Sequence, residues 1–81
     1  METFKHLKLK LYIDEGWHLC EQAEDILDYV GASFQPIAIA GDLDLLRRYG
    51  VRIPVIVDCN GREIGWPFDS FALREWLDSA A

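Results

Sequence analysis

Trp17 and Cys20 stand three positions apart, directly after the short polar segment 14–16. Two cysteines at this spacing, at the start of a helix, would support thiol–disulfide exchange. A thiolate at the first helical position is stabilised by free backbone N–H groups and by the positive end of the helix dipole. An indole can do none of this chemistry, so the position that would carry the attacking sulfur is occupied by Trp17.

Cys20 is the remaining candidate for thiol chemistry. It lies one helical turn after Trp17, on the flank of the apolar stripe that the following helix is predicted to bury. Burial among apolar side chains raises the pKa of a thiol and leaves it inert. We therefore favour a buried, unreactive thiol over a working monothiol, and both interpretations stay open.

His18 and Cys59 also carry chemically active side chains. His18 could tune a thiolate or act as a base, but its place at a helix start is that of an ordinary surface histidine. No metal-ligand spacing joins it to His6 or to the cysteines, so we expect no metal site. Cys59 falls in a predicted hairpin turn, ~17 Å along its strand from the other end of the sheet. Because disulfide partners need Cα atoms within ~7 Å, we expect no Cys20–Cys59 disulfide.

The composition indicates one small acidic domain that covers residues 1–81. A formal net charge of −6 argues against binding to nucleic acid or to anionic membranes, because their phosphates would be repelled. No apolar run approaches the ~20 residues of a membrane span, and the N-terminal lysines alternate with apolar residues instead of flanking a signal-peptide core. With two cysteines, we expect a reduced, monomeric, cytoplasmic protein.

The hydrophobic pattern predicts the order β-α-β-α-β-β-α. Period-2 alternation or short apolar runs indicate strands at 7–13, 33–40, 53–57 and 62–66. Strands separated by a helix should be parallel, and the last two should form an antiparallel hairpin. Pro36 cannot donate to a ladder, so the second strand belongs at a sheet edge. We expect the sheet order 2-1-3-4, with the first and last helices on one face and the short middle helix on the other.

Turn and cap residues delimit these elements. Gly31 is predicted to end the first helix, and Asp69 or Ser70 to cap the last one. Asn60-Gly61 indicates a tight hairpin in which both turn residues adopt positive φ. The short middle helix is predicted to turn three residues toward the sheet: Leu43, Leu46 and Tyr49.

This order, together with three motifs, resembles the minimal thioredoxin fold of glutaredoxins over roughly residues 7 to 79. More narrowly, the chain is similar to short bacterial glutaredoxin-like proteins, whose pattern runs Cys-His-Leu-Cys, Tyr-Gly-x-Arg-x-Pro-Val and Trp-Pro-Phe-Asp. The matching segments here are Trp17-His18-Leu19-Cys20, Tyr49-Gly50-Val51-Arg52-Ile53-Pro54-Val55 and Trp66-Pro67-Phe68-Asp69. The chain departs from this pattern at Trp17, where the family has its first cysteine.

The resemblance implies roles for several residues. Cys20 would be the resolving cysteine, shielded beneath the attacking one. A cis peptide bond would precede Pro54, with the backbone of Ile53 free to pair with glutathione or an extended peptide. Asp69 and Ser70 stand where glutaredoxins hold the γ-glutamyl end of glutathione, and they equally suit plain N-capping.

The expected function is therefore that of a glutaredoxin-like domain without dithiol oxidoreductase activity. It would keep a groove for glutathione or an extended peptide, bordered by Trp17, His18, Ile53-Pro54, Trp66 and Asp69-Ser70. Two alternatives stay open. Cys20 would retain weak monothiol chemistry and form a mixed disulfide with glutathione, or the fold would serve as a non-catalytic adaptor that only presents a binding surface.

Overall fold

Seven elements of secondary structure follow one another in the computed structural model, which describes residues 8–79. They are β1 (Leu9–Ile13), α1 (His18–Val30), β2 (Phe34–Ala38), α2 (Leu43–Tyr49), β3 (Val55–Val57), β4 (Glu63–Gly65) and α3 (Ser70–Asp78). This is the predicted order, with each strand shorter than its hydrophobic run suggests. The predicted start of the first strand, at residue 7, lies outside the described residues.

The four strands form one mixed sheet in the order β2-β1-β3-β4. β1 runs parallel to β2 and antiparallel to β3, and β3 and β4 form the antiparallel hairpin. Pro36 lies opposite Leu11 in the edge strand β2. An edge strand has no partner strand on its solvent side, so a residue without an N–H donor is tolerated there. The α/β class and the sheet order are confirmed.

Side chains on the two sides of the sheet form two separate cores. On one side, alternate residues of β1 pack with α1 and α3 in a cluster that includes Leu11, Leu27 and Leu73. On the other side, Tyr12 and Tyr49 stack at a centroid distance of 4.4 Å and pack with Val55. The period-2 alternation of β1 thus divides its residues between a large core and a small one.

The orientation of α2 differs from the prediction. Leu43 and Leu46 were expected to face the sheet, yet 74% and 41% of their surfaces are exposed. Because Tyr49 stacks on Tyr12, the helix is rotated so that Leu45, one turn before Tyr49, packs against the small core instead. A helix of 7 residues has too few apolar positions for periodicity alone to fix its inward face.

The hairpin between β3 and β4 also differs from the prediction. Gly61 has φ of +84°. Within residues 8–79 only glycines have positive φ, so Asn60 does not adopt the predicted conformation. The loop is longer than two residues because the Asp58 side chain stabilises it. The Asp58 carboxylate accepts hydrogen bonds from the N–H groups of Asn60 (2.9 Å) and Arg62 (2.8 Å). The Asp58 N–H donates to the Arg62 carbonyl at 3.0 Å, so residues 59–61 form a three-residue loop. Such a loop needs positive φ at one position only.

The helix caps follow the prediction. Gly31 ends α1 in the left-handed conformation, with φ of +80°. Asp69 caps α3, and its carboxylate accepts the N–H of Ala72 at 2.8 Å. None of the helices within residues 8–79 has the length and apolarity needed to cross a membrane.

Leu73→Ala should strongly destabilise the fold. Its side chain is fully buried between α3 and the sheet, so the truncation leaves a cavity and should lower the free energy of unfolding by about 2–5 kcal/mol. Leu43→Ala is the matched control, because the same truncation at an exposed helical site should change stability by less than about 0.5 kcal/mol. Urea denaturation measures both, and equal losses would show that the assigned faces of the helices are wrong.

Candidate functional site

The loop between β1 and α1 brings Trp17 to the start of the helix. Gly16 has φ of +84°, which reverses the chain after the strand, and the Trp17 N–H donates to the Asp14 carbonyl at 3.2 Å. Trp17 is the N-cap residue, with extended φ and ψ, and its side chain makes no capping hydrogen bond. The polar cap that most helices carry is absent from α1.

The Trp17 indole covers the helix start. It is 48% exposed and lies nearly parallel to the His18 ring, at a centroid distance of 6.4 Å. An indole has an N–H donor and no acceptor lone pair, so it offers nothing to the free amides of the first turn. At this position the chain presents an aromatic surface and no nucleophile.

The Cys20 side chain points into the large core. Cys20 is 2% exposed and shares the buried stripe of α1 with Ala23, Leu27 and Val30. Burial raises the pKa of the Cys20 thiol, and the carboxylates of Asp14 and Glu24 raise it further, while a hydrogen bond with the Asp14 backbone acts in the opposite direction. A raised pKa favours the protonated form of the thiol, which is a poor nucleophile.

An acidic cleft opens beside Trp17, between the β1–α1 loop, α1 and the edge strand. Its volume is about 440 Å³. Pro36 and Ala38 line it from β2, Cys20 lines it from α1, and Trp17 lines it from the residue before α1. The lining also includes four carboxylates: Asp14, Glu15, Glu21 and Glu24. Among residues 8–79, no basic side chain lines this cleft, so a ligand that enters it meets a negative potential from these carboxylates.

Ile53 and Pro54 lie next to the same end of the sheet, just before β3. The Ile53–Pro54 peptide bond is cis, and Pro54 is fully buried. The Ile53 side chain is half-buried and contacts both cores. The Ile53 N–H donates to the Tyr49 carbonyl at 3.0 Å and is therefore not free to pair with a ligand. For this N–H group, the expectation that the resemblance implied is wrong. Among residues 8–79, no turn or loop N–H donates to the Ile53 carbonyl.

Trp66 and Asp69 approach this end of the sheet from β4 and α3. The Trp66 N–H donates to the Pro54 carbonyl at 3.0 Å, which joins the two segments directly. The half-buried Trp66 ring meets Phe68 edge-on at 5.0 Å. Asp69 is exposed and Ser70 is the first residue of α3, and the Asp69 carboxylate already accepts the Ala72 N–H.

The sequence-predicted groove residues thus share one end of the sheet, which we call the motif end: the end of β1, the start of β3 and the end of β4. They do not line one cavity. The acidic cleft includes Trp17 and Cys20, whereas a shallow depression of about 360 Å³ is lined by Pro67, Phe68, Asp69 and Ala72. His18 is exposed and stacks on Trp17. The motif end is an open surface with aromatic side chains on either side.

Cys59 lies at the opposite end of the sheet, in the β3–β4 loop, and is exposed. Both cysteines are free thiols. Within residues 8–79, no group of three histidine, cysteine, aspartate or glutamate side chains could hold a metal ion. Thiol chemistry at the motif end would therefore depend on Cys20 alone.

The chain matches a known protein family. Residues 8–78 match the model of a family described as "Glutaredoxin-like domain (DUF836)". The match spans all seven elements of secondary structure. The chain belongs to this glutaredoxin-like family.

Solved structures of small bacterial proteins share the glutaredoxin-like fold described above. Target protein XcR50 from X. campestris is 43% identical; its crystal structure has a TM-score of 0.86 and covers 90% of this chain and 99% of its own. Protein Ne2328 from Nitrosomonas europaea is 29% identical, with a TM-score of 0.67 over 86% of this chain and 89% of its own. No protein of curated function matches the chain.

Several features of this glutaredoxin-like site were missed at the level of the sequence. The Trp66–Pro67 bond is also cis, and nothing in the local sequence separates it from an ordinary trans bond. The acidic cleft was missed because Glu21 and Glu24 belong to a helix, whereas Pro36 belongs to the edge strand. The helical spacing of the two glutamates, on the side of α1 next to Cys20, was the signal that could have indicated it.

Proposed function

We propose that this glutaredoxin-like domain binds a ligand at the motif end of its sheet without catalysing dithiol exchange. The observation that carries the proposal is the pairing of an exposed Trp17 at the helix start with a buried Cys20 one turn later. The first residue cannot attack a disulfide. The second is buried, its pKa is raised, and no neighbouring cysteine can present a mixed disulfide for it to resolve.

The ligand we favour is an extended peptide, with glutathione as the less favoured candidate. The Trp17 and Trp66 rings offer apolar contact area, and the Ile53 carbonyl can accept a hydrogen bond from an extended backbone. The exposed carboxylates of Asp14, Glu15 and Asp69 act against glutathione, because it carries two carboxylates of its own. Asp69 also uses one α3 amide that a glutathione carboxylate would need.

Trp17→Cys should create dithiol activity that the wild-type protein lacks. The new thiolate would lie at the helix N-terminus, where the dipole and the free amides favour it by about 0.3–1 kcal/mol, and Cys20 would lie one turn away to resolve the mixed disulfide. Activity should be partial, because Asp14 and Glu15 oppose a further negative charge. The measurement is the rate at which each protein reduces a small glutathione mixed disulfide. The rate with Trp17→Cys should be at least about tenfold the wild-type rate.

Trp17→Ser is the matched control, since it removes the indole without adding a thiol, and it should stay at background. A Trp17→Cys protein that folds, by its NMR spectrum, and yet stays inactive would show that the missing sulfur is not what silences the site. Activity of the wild type that disappears in Cys20→Ser would show that Trp17 did not silence it.

The second candidate function is monothiol exchange at Cys20, and one observation favours it: Cys20 belongs to the lining of the acidic cleft. In that reaction the Cys20 thiolate attacks one sulfur of glutathione disulfide, a mixed disulfide forms, and one glutathione thiolate leaves. The raised pKa of Cys20 and the carboxylates around the cleft both oppose this step. The Cys20→Ser arm above separates it from the non-catalytic proposal.

Glutathione diethyl ester should bind at the motif end more tightly than reduced glutathione. The ester keeps the tripeptide backbone and removes both carboxylates, so it escapes repulsion by Asp14, Glu15 and Asp69. In an NMR titration the ester should shift the amides of Ile53 and of residues 68–70. Tighter binding of the free acid would favour a glutathione site of the ordinary glutaredoxin type. No shift with either compound would favour the adaptor function.

A further inference from the structure

The acidic cleft beside Trp17 holds negative charge that no nearby lysine or arginine offsets. Residues 11–46 contain eight of the chain's 14 acidic side chains and neither lysine nor arginine. All four carboxylates of the cleft belong to this stretch: Asp14, Glu15, Glu21 and Glu24. A concave surface lined by one sign of charge raises the local concentration of ligands of the opposite sign. The cleft therefore favours a cation, as does the net charge of −6 of the whole chain.

The fold itself makes little use of these four carboxylates. Within residues 8–79, the carboxylates that accept hydrogen bonds or form ion pairs come from other positions: Asp42, Asp44, Asp58, Glu63 and Asp69. The helix dipole accounts for Glu21 in the first turn of α1, but Glu24 lies beyond that turn and is half-buried. A carboxylate that loses hydration without gaining a partner costs free energy, which a bound hydrogen-bond donor would offset.

Trp17 is a second and independent reason to expect an organic cation in this cleft. Its indole is 48% exposed and belongs to neither core, so the packing of the fold gains little from an aromatic side chain here. The face of an indole attracts an ammonium or guanidinium group within about 6 Å of the ring centroid. The cleft volume of about 440 Å³ falls within the usual range of ligand pockets. Carboxylates beside an aromatic face match a guanidinium in both charge and shape.

We propose that the acidic cleft binds an arginine side chain of the extended peptide proposed above for the motif end. This inference rests on the proposed function, because it specifies the side-chain chemistry of that peptide. The guanidinium would stack on the Trp17 indole and donate hydrogen bonds to carboxylates of the lining, Glu21 and Glu24 among them. Arginine suits the cleft better than lysine, because a planar guanidinium stacks and donates at the same time, whereas an ammonium is a compact point charge.

Other occupants of the cleft are less favoured. A metal ion lacks a site, because no three metal-ligating side chains within residues 8–79 are placed to hold one. A second copy has the same net charge of −6, and three of its five arginines already pair with carboxylates of their own chain. A free polyamine has no planar cation to stack on Trp17 and no peptide backbone to contact the rest of the motif end.

The experiment titrates three capped peptides of about eight residues into isotopically labelled protein. Serine alternates with a variable residue, so the variable side chains lie on one side of an extended chain. The variable residue is arginine in the first peptide, its uncharged analogue citrulline in the second, and glutamate in the third. The arginine peptide should shift the amides of residues 14–24 and of Ala38. The citrulline peptide should bind at least about tenfold more weakly, and the glutamate peptide should not bind.

Variants of the protein locate the bound cation. Glu21→Gln/Glu24→Gln should raise the dissociation constant of the arginine peptide at least about tenfold, and Trp17→Leu should raise it about two- to fivefold. The matched control is Glu75→Gln/Asp78→Asn, which removes two exposed carboxylates at the same i, i+3 spacing on α3. It changes the net charge equally and should leave the dissociation constant unchanged within about twofold.

Equal binding of the arginine and citrulline peptides, or equal effects of the α1 and α3 variants, would overturn the selection of a cation and leave a peptide site at the motif end. An unchanged constant in Trp17→Leu would overturn the stacking. If no peptide binds, or the shifts map to another surface, the inference is wrong, and the diethyl ester, which reports on Ile53 and residues 68–70, separately decides the proposed function. Spermidine that binds as tightly as the arginine peptide would assign the cleft to a polyamine. Shifts on dilution of the protein alone would assign it to a second copy, and either result overturns a peptide partner.

Discussion

The packing of α1 against the large core is the contact on which the rest of the structure depends. Leu11 of β1, Leu27 of α1 and Leu73 of α3 are fully buried in it, and they hold the helix across the parallel β1–β2 pair. Cys20 lies on the same buried stripe, so the packing that stabilises the fold also keeps the thiol away from water. With Trp17 at the helix start, no exposed sulfur lies at the motif end among residues 8–79.

Charge limits what the cleft beside α1 can accept. Four carboxylates line it, and those of Asp14 and Glu24 raise the pKa of Cys20. An anion that approaches this cleft is therefore repelled.

The sequence predicted the fold well because its signals are local and agree with one another. The alternation in β1, Pro36 in an edge strand and the caps at Gly31 and Asp69 all indicated the same topology. The errors came from contacts distant in sequence. The stacking of Tyr49 on Tyr12 fixed the rotation of α2, and the Asp58 carboxylate determined the hairpin loop. The acidic cleft brings together residues from three separate segments, and the helical spacing of Glu21 and Glu24 indicates only the part that α1 contributes.

Titration of the Cys20 thiol tests the central claim most directly. In a Cys59→Ser variant, which leaves a single thiol, the Cβ chemical shift of Cys20 can be followed against pH. Burial and the carboxylates of Asp14 and Glu24 predict a pKa above the ordinary thiol value, so no thiolate should form near neutral pH. A pKa at or below about 7 would show an activated thiolate and would contradict a non-catalytic domain.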